Sequence, residues 1–186
     1  MRFSIITPAY IWTPERLELF LQCIDSIRGQ TFSHADIEHI IVNDGSPMDM
    51  AIPNYPWIKV INQPNLQRMA AYNTGLRQAQ GDIIGLLDSD DEYAPESLME
   101  IHQLFQQHQD YDMVNVGCTY INIQGTTWTR GPFQPKECEV GHEVFGGGNI
   151  VNGTFFFKRA VYEDLGAFPE GIKTIDVPWY KNTELF

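Results

Sequence analysis

Three short apolar runs, each ending in a polar turn and interleaved with helical patterns, constrain this chain more than any other feature. They are Phe3 to Thr7, Ile37 to Asn43 and Ile83 to Leu87, and they close on Pro8-Ala9-Tyr10, Asp44-Gly45-Ser46 and Asp88-Ser89-Asp90-Asp91. Branched and long apolar residues in runs of this length read as buried strands. After the first run, Thr13 is placed to cap a helix, Pro14 takes its first position and Glu15 its first turn. Leu17, Leu21, Ile24 and Ile27 then recur at helical spacing, with Phe20 beside them, until Gly29. Arg68 to Gln80 has the Ala and Leu content of a helix and stops at Gly81, while Pro95 to His108 sets Leu98, Ile101, Leu104 and Phe105 on one face. Ile58 to Ile61 and Met113 to Tyr120 are further strands. Strand and helix in alternation predict an α/β fold, with a mostly parallel central sheet flanked by helices in a Rossmann-like three-layer arrangement.

The remainder is less regular. Gly125 to Gly148 lacks periodicity and reads as a loop, over a ligand or simply at the surface. Phe155-Phe156-Phe157 is a strand, and Arg159 to Leu165 a short helix stopped by Gly166. With 186 residues, 43% of them hydrophobic, the chain is most economically a single domain, residues 1–186.

Composition removes several classes of function. A formal charge of −12 argues against a nucleic-acid or anionic-membrane binder, because counterion release needs Lys and Arg on a face. It leaves a nucleotide ligand open, since a metal and backbone donors can hold a diphosphate on an acidic protein. Three widely spaced cysteines (Cys23, Cys118, Cys138) form no CxxC pair, which points to a reducing, cytoplasmic setting and no zinc site. The N-terminus reads as a strand rather than a signal peptide. Neither GxxxxGK[ST] nor GxGxxG occurs, so P-loop and dinucleotide-binding readings fail.

The chemistry converges on strand ends. Ligands of open α/β sheets bind outside the carboxyl ends of the strands, where the three polar turns fall. Asp88, Asp90 and Asp91 crowd three carboxylates into four positions. Such charges repel unless a cation lies between them, and a divalent cation with its phosphate ligand meets that need. A solvated acidic turn after a strand satisfies the same pattern. Arg68 opens a helix, where anions are favoured, and reads equally as a ligand for the diphosphate or as a surface arginine.

With these residues in view, the chain resembles the family 2 glycosyltransferases of the GT-A fold. Six segments carry the likeness: Ser4-Ile5-Ile6-Thr7-Pro8-Ala9-Tyr10, Gln30-Thr31-Phe32, Ile41-Val42-Asn43-Asp44-Gly45-Ser46, Asn73-Thr74-Gly75-Leu76, Ala79-Gln80-Gly81-Asp82 and Leu87-Asp88-Ser89-Asp90-Asp91. The resemblance implies a nucleotide-binding half over residues 1–120 and an acceptor half over 121–186. It implies that Thr7, Pro8, Ala9, Tyr10 and Asp44 hold the nucleotide base, with Arg68, Asn73, Asp88 and Ser89 also on the nucleotide. Asp88-Ser89-Asp90 looks like the DxD motif, so Asp90 with Asp88 would bind Mn²⁺ or Mg²⁺ bridging the donor diphosphate. The family places its catalytic base in a Glu-Asp pair before an aromatic residue. Asp176 and Trp179 align there, while Ile175 stands where the family has Glu and Tyr72 where it often has a basic residue.

The expected activity is transfer of a sugar, with inversion, from a nucleoside-diphosphate donor (UDP-sugar favoured) to a carbohydrate or glycolipid hydroxyl, as in cell-surface polysaccharide or lipopolysaccharide synthesis. The rival expectation is a non-catalytic or truncated relative that binds nucleotide-sugar without turnover. Family members continue past the point matching Phe186 with helices that shape the acceptor site. Uncovered apolar surface there implies a homodimer, and peripheral association with the inner face of the membrane is a further expectation.

Overall fold

The computed structural model describes residues 1–121, 127–130, 155–168 and 170. Its main sheet has six strands: β1 (Phe3–Ala9), β2 (Ile37–Asp44), β3 (Ile58–Gln63), β4 (Ile83–Leu86), β5 (Met113–Asn115) and, after a separate hairpin, β8 (Phe155–Lys158). Their order across the sheet is β3-β2-β1-β4-β8-β5. The first four are mutually parallel, as the alternation of strand and helix predicts. β8 runs antiparallel to both neighbours and joins β4 to β5.

Both faces are covered. On one, α1 (Pro14–Arg28) and α3 (Ser97–Gln107) pack Cys23, Ile27, Leu98, Ile101 and Phe105 against Phe3, Ile5 and Phe156. On the other, α2 (Arg68–Leu76) and α4 (Arg159–Leu165) meet Ile6, Ile40, Ile84 and Phe157 through Met69, Tyr72, Leu76 and the half-buried Tyr162. Every residue of β1 is buried, as befits a strand packed on two faces. α1 begins as predicted: Thr13 Oγ1 accepts from the Arg16 amide at 3.3 Å, and Pro14 sits in the first turn.

Two quoted segments have structural work. Gln30 is buried between α1 and the start of α3, donating to the Ser26 and Ala94 carbonyls and accepting from the Leu98 amide. Gly75 lies so close to β1 that a Cβ there would collide with Ile6 Cγ2, so α2 can approach the sheet only with glycine at this position.

The structure corrects three boundaries. The helix expected over 68–80 ends at Leu76, because the Gln80 and Gly81 amides turn away to donate to Glu38 Oε1 at 2.5 and 3.1 Å. The strand expected over 113–120 divides at Val116-Gly117, and its second part, β6 (Cys118–Ile121), pairs instead with β7 (Thr127–Arg130). Glycine inside an apparent strand is a common bending point. β7 also lies within the span read as loop; Gly146 to Asn149 lie outside the described residues. Among the described residues, no helix is long and apolar enough to cross a membrane.

Candidate active site

The carboxyl ends of β1, β2 and β4 open on one cleft, lined by Pro8, Ala9, Tyr10, Asp44, Arg68, Asp88, Ser89 and Asp90, together with Trp12, Arg16, Asn65 and Gln67. Eight of the residues selected from the sequence therefore share a single concavity, at the position the topology dictates.

Each wall has a local cause. The turn after β1 projects Tyr10 and Trp12, both exposed, with ring centroids 5.4 Å apart. Such paired aromatic faces suit a planar ligand. The turn after β2 depends on Gly45, whose φ of +77° favours glycine; a Cβ there would also lie 2.8 Å from the Asn65 nitrogen. That turn sets Asp44 almost fully buried at the cleft, where its Oδ1 accepts from the Gln63 side chain at 2.7 Å and the Leu66 amide at 2.8 Å. Gln67, the residue before α2, has φ +76° and ψ 161°, a strained conformation for a residue with a side chain.

The acidic turn after β4 is closed by the Asp91 amide donating to the Asp88 carbonyl at 3.1 Å. Two oxygens of Asp88 are held from α2, one turn apart: Tyr72 donates its hydroxyl to Oδ1 at 2.7 Å, and Arg68 Nη1 lies 3.2 Å from Oδ2. Burial first, and then the Asp88 charge, push the Tyr72 phenol well above its usual pKa, so it stays a donor. Asp90 is more open and pairs with Arg16 Nη1 at 2.6 Å. Asp91 is raised to about 6, chiefly by burial and then by repulsion from Asp88 and Asp90, with Arg68 opposing. Two guanidinium groups thus offset an acidic turn that would otherwise repel itself. Asp88 and Asp90 both line the open cleft and carry hard oxygen donors, the ligand type that Mg²⁺ or Mn²⁺ takes together with ligand oxygens. Among the described residues, no group of three His, Cys, Asp or Glu side chains could hold a metal unaided.

Two sequence candidates sit behind the cleft rather than in its lining. Thr7 is fully buried, its hydroxyl 2.9 Å from His39 Nε2. Asn73 is also fully buried; its amide exchanges two hydrogen bonds with the Phe168 backbone, both at 2.8 Å, and donates to Glu170 Oε1 at 3.0 Å. It ties α2 to the segment that leads toward residue 176. Asp176, Trp179 and Ile175 lie outside the described residues. Arg16, Trp12 and Tyr72 are cleft or cleft-supporting residues that the sequence reading did not select. The signal for Arg16 was its place in the first turn of the helix after β1, which topology puts at the same rim.

Comparison with known proteins agrees with this geometry. The sequence model of Glycosyl transferase family 2 matches residues 4–166. The chain is 36% identical over 138 residues to the uncharacterized glycosyltransferase EpsJ of Bacillus subtilis, covering 70% of this chain and 37% of that protein. Among solved structures, S. aureus TarS 1–349 in complex with UDP-GlcNAc superposes with a TM-score of 0.74 at 22% identity, over 95% of this chain and 51% of that one. A mannosyltransferase from Pyrobaculum calidifontis, PcManGT, in complex with GDP-Man and Mn²⁺, gives a TM-score of 0.66 at 18% identity, over 94% of this chain and 49% of its own. At these identities the two structures establish likeness of fold. The chain spans well under two thirds of the length of each of these three proteins.

Proposed function

Because this chain belongs to the family 2 glycosyltransferases, we propose that it moves a sugar, with inversion, from a nucleoside-diphosphate donor to a carbohydrate or glycolipid hydroxyl. One observation carries the reading: the base-side turns, with Tyr10 and Asp44, and the acidic turn, with Asp88, Ser89 and Asp90, line the same cleft. A nucleotide laid across it would place its base against Tyr10 and its diphosphate toward the acids.

The residues divide the work. Tyr10 offers a ring face to the base, and Asp44, with Oδ1 already engaged, would accept a base N–H through Oδ2. That arrangement suits the N3–H of a pyrimidine, so UDP is the favoured nucleotide; TarS, crystallised with UDP-GlcNAc, supports the choice by fold. Asp90 and Asp88 would hold Mn²⁺ or Mg²⁺, and the Mn²⁺ complex of PcManGT supports that assignment. When bound, the cation neutralises charge building on the departing nucleoside diphosphate. Arg68 stands at the N-terminus of α2, where its charge adds to that of the helix end. Thr7 and Asn73 would serve from behind, Thr7 through its contact with His39 on β2 and Asn73 by holding the segment after α4. Asp176, by resemblance to the family, would take the acceptor hydroxyl's proton as that oxygen attacks the anomeric carbon.

The test is thermal stability against UDP, GDP, dTDP and CDP, each with Mn²⁺ and with EDTA. A ligand that binds only the folded state raises the melting temperature, with the logarithm of its concentration relative to Kd. The expected result is a shift that requires the metal and is largest for UDP. No shift with any nucleotide in either condition would remove the donor-site reading.

A further inference from the structure

Arg16 is the cleft residue whose position asks for an explanation. Its amide is pinned by the Thr13 cap, so the side chain pivots from a fixed point in the first turn of α1. The guanidinium lies 5.0 Å from the centroid of the Trp12 ring, and Nη1 reaches Asp90 Oδ2 at 2.6 Å. Arg16 and Asp90 are 39% and 43% exposed, so the pair can open without disturbing the core. Asp88 differs: it is 19% exposed and held by Tyr72 as well as Arg68. Of the two acids, Asp90 is therefore the one whose cation can be exchanged cheaply.

Building on the donor-site reading above, we propose that Arg16 is a diphosphate-binding residue, resting on Asp90 until a divalent cation takes that carboxylate. The cation and the guanidinium compete for one oxygen pair. Once displaced, Arg16 stays over Trp12 at the cleft wall, with its five N–H donors free. A diphosphate entering with the cation presents the planar, anionic oxygens that a guanidinium binds best. Trp12 keeps the released side chain at the rim through its ring face. The exchange conserves charge compensation: before loading, Asp90 is neutralised by Arg16; after it, the cation neutralises Asp90 and Arg16 neutralises phosphate.

The signature is a change of opposite sign in two affinities. Arg16→Gln should bind Mn²⁺ alone about threefold more tightly, the order expected for losing an exposed competing ion pair. The same variant should bind UDP at saturating Mn²⁺ at least tenfold more weakly, the order for a lost charge-assisted contact. Arg28→Gln is the control. It removes the same charge from the same helix, about 18 Å away by helical rise, where Arg28 pairs only with Asp25 among the ion pairs described. It should change neither affinity. Free Mn²⁺ is read by electron paramagnetic resonance and UDP binding by calorimetry. Arg16→Gln with unchanged Mn²⁺ affinity, or with UDP affinity equal to wild type, would overturn the exchange while leaving the donor site intact. Wild-type protein that binds UDP equally well in EDTA, or not at all, would overturn the underlying reading and the exchange with it.

Discussion

The buried phenol of Tyr72 donates a 2.7 Å hydrogen bond to Asp88 Oδ1. An acid at the mouth of a cleft is thereby fixed in orientation by a residue of the core. Tyr72→Phe keeps the ring and its packing against Phe168 while removing the donor. The expected cost is about 1–2 kcal/mol of stability, read by denaturant melts. Metal-dependent UDP binding should weaken with it, because Asp88 Oδ1 would lose the donor that orients it.

Asp90→Asn should abolish the metal requirement by abolishing metal-dependent binding. The amide keeps the shape but loses the charge that a hard cation needs. In the thermal assay, the UDP shift of this variant in Mn²⁺ should match that in EDTA. A full Mn²⁺-dependent shift would move the metal site to other residues.

Acid sensitivity should trace in part to His39. Burial lowers its pKa to about 3, from an ordinary value of 6.5. Between those values the unfolded chain binds a proton that the folded chain refuses, so stability falls as pH drops below 6.5. The slope from this one group is about 1.4 kcal/mol per pH unit. His39→Gln should flatten the pH dependence of stability between pH 6 and 4 by about that amount, as measured by urea unfolding at each pH. Equal slopes in the two proteins would mean that His39 takes up its proton without unfolding.

Asp176→Asn separates binding from chemistry. The variant should retain the nucleotide-induced melting shift and lose sugar transfer by a factor of about 100 or more, the order for removing a general base. Released UDP in the presence of donor and acceptor is the readout. Undiminished release would place the base on another residue.

Much of the fold was legible because its signals are local. Continuous apolar runs, period-3.6 patterning, a Thr-Pro helix start and glycine stops mark β1, α1, β2 and α3 without reference to distant residues. Acids grouped at Asp88 and Asp90 were legible for the same reason. What escaped is long-range. Nothing near Phe155 tells that its strand inserts antiparallel between β4 and β5. Tyr72 reads as an ordinary core aromatic until its hydroxyl is seen against Asp88, 16 positions away. Asn73 meets Phe168 across 95 positions, so its role as a tether had no local trace. The split of the strand at Gly117 rests on one residue whose bend depends on where β6 finds a partner.

The strand order has a consequence for how the protein is made. Among the described residues, β5 pairs only with β8 in the main sheet, and β4 depends on β8 for its second neighbour. A nascent chain that has emerged only as far as residue 150 holds α3 and β5 with no strand to link them to the sheet. Its β4, built from Ile83, Ile84, Gly85 and Leu86, presents a bare apolar edge, a template for pairing with another chain. The sheet closes only when Phe155 to Lys158 leave the ribosome. Ribosomal stalling or premature termination before that point would yield a sticky, aggregation-prone species, and chaperone demand should peak before this strand emerges.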